Sequence, residues 1–323
     1  MPGVIDQIVE ARSLGDAKRR AAFCLPDFEA AKYDPFLLPD MAKAVERLAL
    51  AKKRQELVYI YGDYDIDGLT ATTLLLDSFA QFGIRCQAFI PNRFIDGYGL
   101  SKNAMAELHK KGAQLVVTVD CGSLSHAEIS LANELSMEVI VTDHHSVADT
   151  MPPAVATINP KRTDHSYPFI DLAGVGVAFK LVQALQQKIT GMAPGQEKWL
   201  LDLVALGTVC DVVQLTDENR ANVFWGLTVL AKTRRPGIKA LAQVAGIGAV
   251  NLTARSLGFV LGPRLNAAGR METAQLALEL LTTTDGLKAV EIAYQLEEMN
   301  RQRRAEQDRI FAMALQQAAQ YKD

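Results

Sequence analysis

The chain has 323 residues, 49% of them hydrophobic and 22% charged, a composition typical of a globular protein with one large or two moderate domains. A net charge of −3 argues against a module that only binds nucleic acid, since such modules usually have a strongly basic surface. No apolar run is long enough to cross a bilayer, and residues 1–16 lack the pattern of a secretion signal. The four cysteines lie far apart, in no metal-ligand spacing, and are typical of reduced thiols, so we expect a cytoplasmic protein without a membrane segment.

In chain order, residues 1–54 form a helical, polar N-terminal segment with a loop from Pro26 to Pro39 and a helix from Met41 to Leu50. Short apolar runs then alternate with helical stretches. The predicted strands are 58–61, 85–91, 114–119, 138–142 and 155–159, and the helices between them are 69–82, 101–112 and 125–136. This alternation predicts an α/β fold with a largely parallel, doubly wound sheet. In such folds, active sites form at the carboxyl ends of the strands.

Helices dominate beyond the sheet. They are predicted at 172–189, 197–209, 221–231 and 274–281, with a Gly- and Pro-punctuated segment at 258–270. We therefore assign 55–285 to one domain, with its sheet in 55–160 and a helical part in 161–285. Residues 286–323 are predicted to form one long helix. Its stretch Asn300–Arg309 is polar on every face, which is typical of a helix that connects domains through solvent or of a solvated surface helix.

Acidic residues follow the first predicted strand. Asp63, Asp65 and Asp67 occur within five residues and are flanked by Gly62 and Gly68, which allow sharp backbone turns. Three carboxylates so close together repel one another, and one or two hard cations would relieve that repulsion. The alternative is a solvated acidic turn, because Asp and Gly are common turn residues.

Two further strands and one apolar run also end in polar side chains. Asp120 follows the third predicted strand, Asp143, His144 and His145 follow the fourth, and Asp211 ends the run that begins at 203. Each has an ordinary alternative: a cap or turn residue for Asp120, a cap with two surface imidazoles for Asp143–His145, and a position just past a helix end for Asp211. Because several strand ends deliver such groups to one edge, we predict a metal site there. Its carboxylates and imidazoles favour Mn²⁺ or Mg²⁺ over zinc or copper.

Seven segments in order resemble motifs of the Asp-His-His (DHH) phosphoesterase superfamily, and of its RecJ-like branch in particular. The segments are Asp34–Met41, Gly62–Gly68, Pro91–Ser101, Asp143–His145, Leu172–Phe179, the run ending at Asp211, and Leu261–Met271. They extend over roughly residues 34–300. RecJ-like proteins continue past the long helix into a smaller, substrate-gripping domain, and nothing in Gly286–Asp323 resembles its motif. The resemblance therefore implies a catalytic core with a connecting helix at 286–323 and the second domain absent.

The resemblance also implies roles for single residues. Asp65, Asp67, Asp120, His144 and Asp211 are similar to the family's ligands for two Mn²⁺ or Mg²⁺ ions, with Asp120 as the bridge. By the same resemblance, Asp63 is a ligand or the partner of one, Asp143 orients His144, and His145 faces the scissile phosphate. The phosphate- or DNA-contacting groups implied are Arg93, Arg264, Asn266 and Arg270. For Arg264 and Arg270 the alternative is a structural ion pair.

The function implied is metal-dependent 5′→3′ hydrolysis of single-stranded DNA to 5′-mononucleotides, in DNA repair and recombination. A single-strand-binding protein or a helicase is the implied protein partner, and the oligomeric state stays open. One alternative is a relative that cleaves short oligonucleotides or cyclic dinucleotides. Another is a non-catalytic replication scaffold with a decayed site, which the presence of every proposed ligand disfavours. The long helical region and the segment Gly262–Arg270 disfavour a pyrophosphatase.

Overall fold

The structure, a computed structural model, describes residues 3–12, 16–93, 97, 99–248, 252–271 and 274–319. Five parallel strands form one sheet in the order β2-β1-β3-β4-β5. They are β1 (Val58–Gly62), β2 (Cys86–Phe89), β3 (Leu115–Val119), β4 (Glu138–Thr142) and β5 (Ala156–Ile158). The predicted α/β class and the largely parallel sheet are therefore confirmed.

Helices cover both faces of this sheet. One apolar core lies between the sheet and the helices Ile66–Phe82, Gly174–Lys188 and Met41–Arg54. A second, smaller core lies on the opposite face under Lys102–Lys110 and His126–Glu134. Since both faces are covered, β1 and β3 are buried at every residue, which explains why their sequences are continuous apolar runs rather than alternating ones.

The register of the sheet decides where the functional loops begin. Gly62 at the end of β1 pairs with Val119 at the end of β3, and Val119 pairs with Thr142 at the end of β4. Three neighbouring strands thus end at the same level. The residues that come next, Asp63, Asp120 and Asp143, consequently leave the sheet side by side.

The remaining helices extend the domain beyond the sheet. They are Leu201–Cys210, Asp217–Leu230, Pro236–Val244, Ala254–Ser256, Gly262–Met271, Gln275–Thr282 and Gly286–Ala318, with a π-helical turn at Leu257–Leu261. None of the helices within the described ranges is long and apolar enough to cross a membrane. The N-terminal segment holds Val4–Ala11, Ala17–Cys24 and Phe28–Ala31, so the loop predicted between Pro26 and Pro39 contains a short helix and a 3₁₀ turn at Pro35–Leu37.

The segment 258–270, which its glycines and proline left outside the predicted helices, is helical throughout. Pro263 lies two residues after the π-helical turn Leu257–Leu261, where the regular helical hydrogen bonding is already interrupted. The glycines allow close packing rather than a break in the helix. A Cβ at Gly262 would lie 2.8 Å from Cys210 Sγ, and one at Gly269 would lie 2.8 Å from the carbonyl oxygen of Tyr64.

Candidate metal centre

Five acidic residues and two histidines of the predicted set meet at the carboxyl edge of the sheet. Three overlapping groups each offer ligand atoms that lie within 4.8 Å of one another. The groups are Asp63, Asp65 and Asp120; Asp120, His144 and His145; and Asp67, His144 and Asp211. The sequence therefore predicted the members of the cluster, including Asp211, which lies at the C-terminal end of the helix Leu201–Cys210.

Three side-chain atoms inside this cluster are buried without a hydrogen-bond partner: Asp120 Oδ1, His144 Nε2 and Asp211 Oδ2. They face one another, since His144 Nε2 lies 3.0 Å from Asp120 Oδ1 and 3.7 Å from Asp211 Oδ2. The same nitrogen lies 3.8 Å from Asp67 Oδ2. Leaving buried polar atoms unpaired is costly, and a shared cation would satisfy all of them at once.

Helix N-termini hold two of the aspartates. Asp67 accepts hydrogen bonds from the backbone N–H groups of Gly174 and Val175, at 2.6 and 2.9 Å. Asp65 caps the helix Ile66–Phe82 by accepting from the N–H groups of Asp67 and Gly68. Both carboxylates are thus fixed by backbone donors and by the positive end of a helix dipole. The role of Gly174 was not predicted, although it lies within the glycine-containing segment Leu172–Phe179.

Asp120 lies in an unusual backbone conformation, with φ of +61°. Aspartate tolerates this left-handed region better than most side chains. Its carboxylate packs directly on the start of the helix Gly174–Lys188, where a Cβ at Gly174 would lie 2.6 Å from Asp120 Oδ1. The glycine therefore leaves the space that Asp120 occupies in the cluster.

Asp143 contacts the two histidines differently from the prediction that it orients the His144 ring. Its Oδ1 accepts from the backbone N–H groups of both histidines, at 2.7 and 3.1 Å, and lies 2.9 Å from Nδ1 of the His145 ring. Its Oδ2 accepts from the N–H of Ser123. The His144 ring instead has a hydrogen bond to the backbone of Leu172. Because Asp143 and His145 are two residues apart around a tight turn, the carboxylate reaches the second imidazole rather than the first.

Asn159 is a supporting residue that the sequence did not single out. Its side-chain amide donates to Ser123 Oγ and to the carbonyl oxygen of His145, both at 2.9 Å. It follows β5 directly, so it leaves the sheet at the same edge as the predicted site. Its position at a strand end is the signal that could have identified it.

Burial and crowding shift the pKa values of the cluster. Burial, and then the neighbouring Asp65, raises the pKa of Asp63 to about 7 and that of Asp211 to about 6. Burial followed by repulsion between carboxylates also raises the pKa values of Asp67 and Asp120 well above the ordinary range. All four shifts have the same cause, which is negative charge held close together in a buried place. A divalent cation would offset that charge.

The pKa values of the two imidazoles shift in opposite directions. Burial, and then the neighbouring His145, lowers the pKa of His144 to about 4, which favours the neutral ring that can bind a metal. The hydrogen bond to Asp143 raises the pKa of His145, whose side chain is 45% exposed. Burial would raise the pKa of Asp143, but the contacts with His145 and the N–H of Ser123 outweigh it and lower that pKa to about 2.

The predicted phosphate-contacting residues occupy different surroundings. The exposed Arg93 lies 5.2 Å from the ring centroid of Tyr64, beside the acidic turn, and Asn266 Oδ1 accepts from the N–H of Ile66. Arg270 is exposed. Arg264 is buried, pairs with Glu297 and donates to the carbonyl oxygen of Val260 at 2.7 Å, so it forms the structural ion pair that was the alternative. A contact between Arg264 and a phosphate stays a prediction.

The fold and the cluster define an α/β protein with a candidate metal centre at the carboxyl edge of its sheet. The family model for the DHH family, N-terminal domain, matches residues 57–208. A solved structure of exonuclease RecJ bound to manganese superposes with a TM-score of 0.79 at 34% identity, over 87% of this chain and 70% of that one. The chain therefore belongs to the DHH family, within its RecJ group.

The chain is also similar in sequence to full-length RecJ proteins of two bacteria. The single-stranded-DNA-specific exonuclease RecJ of Bacillus subtilis is 40% identical over 288 residues, which are 89% of this chain and 36% of that protein. RecJ of Escherichia coli is 43% identical over 277 residues, which are 83% of this chain and 48% of that protein. The chain thus spans about half the length, or less, of these relatives.

Proposed function

We propose that this chain carries the catalytic centre of a metal-dependent exonuclease. Its substrate would be single-stranded DNA, hydrolysed 5′→3′ to 5′-mononucleotides during DNA repair or recombination. The single observation that carries the proposal is the set of facing, unpaired buried atoms Asp120 Oδ1, His144 Nε2 and Asp211 Oδ2. The names of the relatives support the substrate, since they describe single-stranded-DNA-specific exonucleases.

The residues present suit two divalent cations. In this proposal, Asp65, Asp67, Asp120, His144 and Asp211 hold Mn²⁺ or Mg²⁺. Asp120 and His144 each belong to two of the three ligand groups, and Asp120 would be the residue shared between the two ions because a carboxylate offers two oxygens. Asp63 is a ligand or supports one. RecJ structures with Mn²⁺ and with Mg²⁺ support this choice of metal. When bound, such ions activate water and offset the charge of a phosphodiester.

The protein's own groups would position the phosphate and supply positive charge. His145 is half exposed beside the cluster, and its contact with Asp143 fixes the ring and favours the imidazolium. A cationic imidazole there would attract a phosphate oxygen. Arg93, on the rim beside Tyr64, would contact the same phosphate or the next one. Asp143 would act through His145 rather than on the substrate.

The wider assignments are proposals as well. We propose that 1–54 is a helical extension, that 55–285 is the catalytic domain, and that 286–323 is a connecting helix. A single-strand-binding protein or a helicase is the proposed protein partner in the cytoplasm.

Hydrolysis of a 5′-labelled single-stranded 20-mer with Mn²⁺ tests the proposal, alongside a dinucleotide. The same assay is run on Asp120→Asn, a variant that removes the charge of the proposed ligand. Asparagine keeps the shape of the side chain and tolerates the positive φ. We expect mononucleotides from the 20-mer and at least about a 100-fold loss in the variant, since even partners of metal ligands contribute 10- to 100-fold. Cleavage of the dinucleotide alone would favour the small-substrate alternative. Full activity in Asp120→Asn would refute the assignment of the site.

A metal titration separates binding from catalysis. At about 100 times its dissociation constant, each bound Mn²⁺ ion should stabilise the wild type by about 2.7 kcal/mol, because the ion binds only the folded chain. Thermal unfolding with Mn²⁺ and with EDTA measures this difference. The stabilisation should be mostly lost in Asp120→Asn, and an unchanged response would show that the ions bind elsewhere.

A further inference from the structure

A cavity of 240 Å³ lies beside the proposed metal centre. Two of its lining residues are chain neighbours of proposed ligands: Ile66 lies between Asp65 and Asp67, and Cys210 precedes Asp211. The other lining residues are Gly258, Gly262, Pro263, Asn266, Arg270 and Arg303. The cavity therefore opens next to the cluster, and two of its walls carry arginines.

Arg303 comes from the long helix Gly286–Ala318, far along the chain from the other lining residues. A buried side chain holds it, since Asn300, only 1% exposed, accepts from Arg303 Nε and Nη2 at 3.3 and 3.1 Å. Gln307 accepts from Nη1 at 3.2 Å. The guanidinium is thus oriented by neutral groups, which leave its positive charge without a counterion.

Two other arginines of the same helix are neutralised. Arg301 pairs with Glu298 and Arg309 pairs with Glu306, both pairs being exposed to solvent. By contrast, no ion pair to a carboxylate is formed by Arg270 or Arg303 among the residues that the structure describes. Arg304 also has no ion pair within the described residues, but it is exposed to solvent and is not among the residues that line the cavity.

Helix packing brings these two like charges to the same cavity. Glu297, Asn300 and Arg303 are spaced three apart, so they lie on one face, which packs against the helix Gly262–Met271. Glu297 on that face pairs with Arg264. Burial, and then Arg304 and Arg270, lowers the pKa of Arg303, in agreement with the crowding of positive charge. A phosphate between the two guanidinium groups would accept charge-assisted hydrogen bonds from both and would offset their repulsion.

We propose that this cavity binds a backbone phosphate of the nucleic-acid strand adjacent to the phosphate under attack, with Arg303 and Arg270 as its binding residues and Asn300 as the positioning residue. The proposal rests on the proposed function for the identity of the strand. It gives the long helix a part in substrate binding in addition to any connecting role. An oligonucleotide with several phosphates should use the cavity, whereas a dinucleotide with a single phosphodiester and no terminal phosphate should not.

The test compares Arg303→Gln with Arg301→Gln, which removes the same charge from the solvent side of the same helix. The affinity of each protein variant for fluorescent single-stranded (dT)12 is measured with Mn²⁺. Fluorescence anisotropy gives the dissociation constant if the protein does not cleave the strand, and KM is used if it does. A lost charge-assisted contact should weaken affinity about tenfold in Arg303→Gln, and by less than about twofold in Arg301→Gln. The slope of log affinity against log salt should become less steep by about 0.7, the value for one phosphate contact on a single strand.

Three further results bear on the proposal. Arg303→Lys should keep the wild-type salt slope, because it keeps the charge. If the protein hydrolyses the dinucleotide, Arg303→Gln should raise KM for (dT)12 by a larger factor than KM for the dinucleotide. Equal losses in Arg303→Gln and Arg301→Gln, or an unchanged salt slope, would overturn the proposal. Failure of the wild type to bind (dT)12 would also overturn the proposed phosphate site. Binding of (dT)12 without hydrolysis would instead refute the proposed catalytic function and would still be consistent with the phosphate site.

Discussion

Replacing Gly174 by alanine places one methyl group against the proposed bridging ligand. The added Cβ would lie 2.6 Å from Asp120 Oδ1, 2.7 Å from its Cβ and 2.9 Å from its Cγ. Ordinary contact begins near 3.4 Å, so the two groups must separate by about 0.8 Å. The helix start cannot move freely, because the Gly174 N–H is bonded to Asp67 Oδ2 at 2.6 Å. Either Asp120 or Asp67 must therefore leave its place in the cluster.

The size of the effect follows from this displacement. Overpacking a well-packed site costs about 1–3 kcal/mol, and the preference of a helix for alanine over glycine returns less than about 1 kcal/mol of that. We expect the free energy of unfolding to fall by about 1–2 kcal/mol. A displacement approaching 1 Å at a catalytic group lowers the rate by about 100-fold, so the loss of activity should be much larger than the loss of stability.

Gly176→Ala is the matched control on the same helix. Its added Cβ would meet the end of the Leu172 side chain at 3.3 Å, which can yield by a few tenths of an ångström. Urea unfolding gives the free energy of both variants, and hydrolysis of the labelled 20-mer at saturating Mn²⁺ gives kcat. Equal kcat values for Gly174→Ala and Gly176→Ala would refute the packing of Asp120 against the helix start.

Three other changes test charge and burial. Without metal, in EDTA, Asp63 has a pKa of about 7 in the folded chain and about 4 in the unfolded chain, so the free energy of unfolding should fall as pH rises from about 4 to about 7. Urea unfolding at pH 5 and pH 8 measures this fall. The fall should be smaller in Asp63→Asn than in the wild type. Asp143→Asn should lower kcat by about 10- to 100-fold through the unfixed His145 ring, while the Mn²⁺ content measured by mass spectrometry stays at the wild-type level; loss of metal would contradict this role. Lys180→Met breaks the buried pair with Glu218 and should cost about 3–5 kcal/mol in urea unfolding without changing kcat, and a change below 1 kcal/mol would show that the pair matters little.

Local sequence patterns predicted the sheet and the aspartates that follow its strands. The strands are continuous apolar runs because they are buried on both faces, and each run ends at the polar residue that leaves the sheet. Parallel strands place their carboxyl ends at one edge, so Asp63, Asp120 and Asp143 could be expected to meet without knowledge of the helices. The helix at 236–244 and the helical course of 258–270 were missed, because Gly and Pro there serve packing and first-turn positions.

By itself, the sequence determined the fold class, the order of the strands along the chain and the residues that enter the cluster. Only the tertiary structure decided the contacts between distant segments: Asp67 with the N–H of Gly174, Arg264 with Glu297, and Arg303 beside Arg270. It also decided that Asp143 bonds to the ring of His145. The physical reason is that strand and helix periods report which face of an element is buried. They do not report which side chain of another element lies opposite, because that depends on how the helices pack over the whole domain.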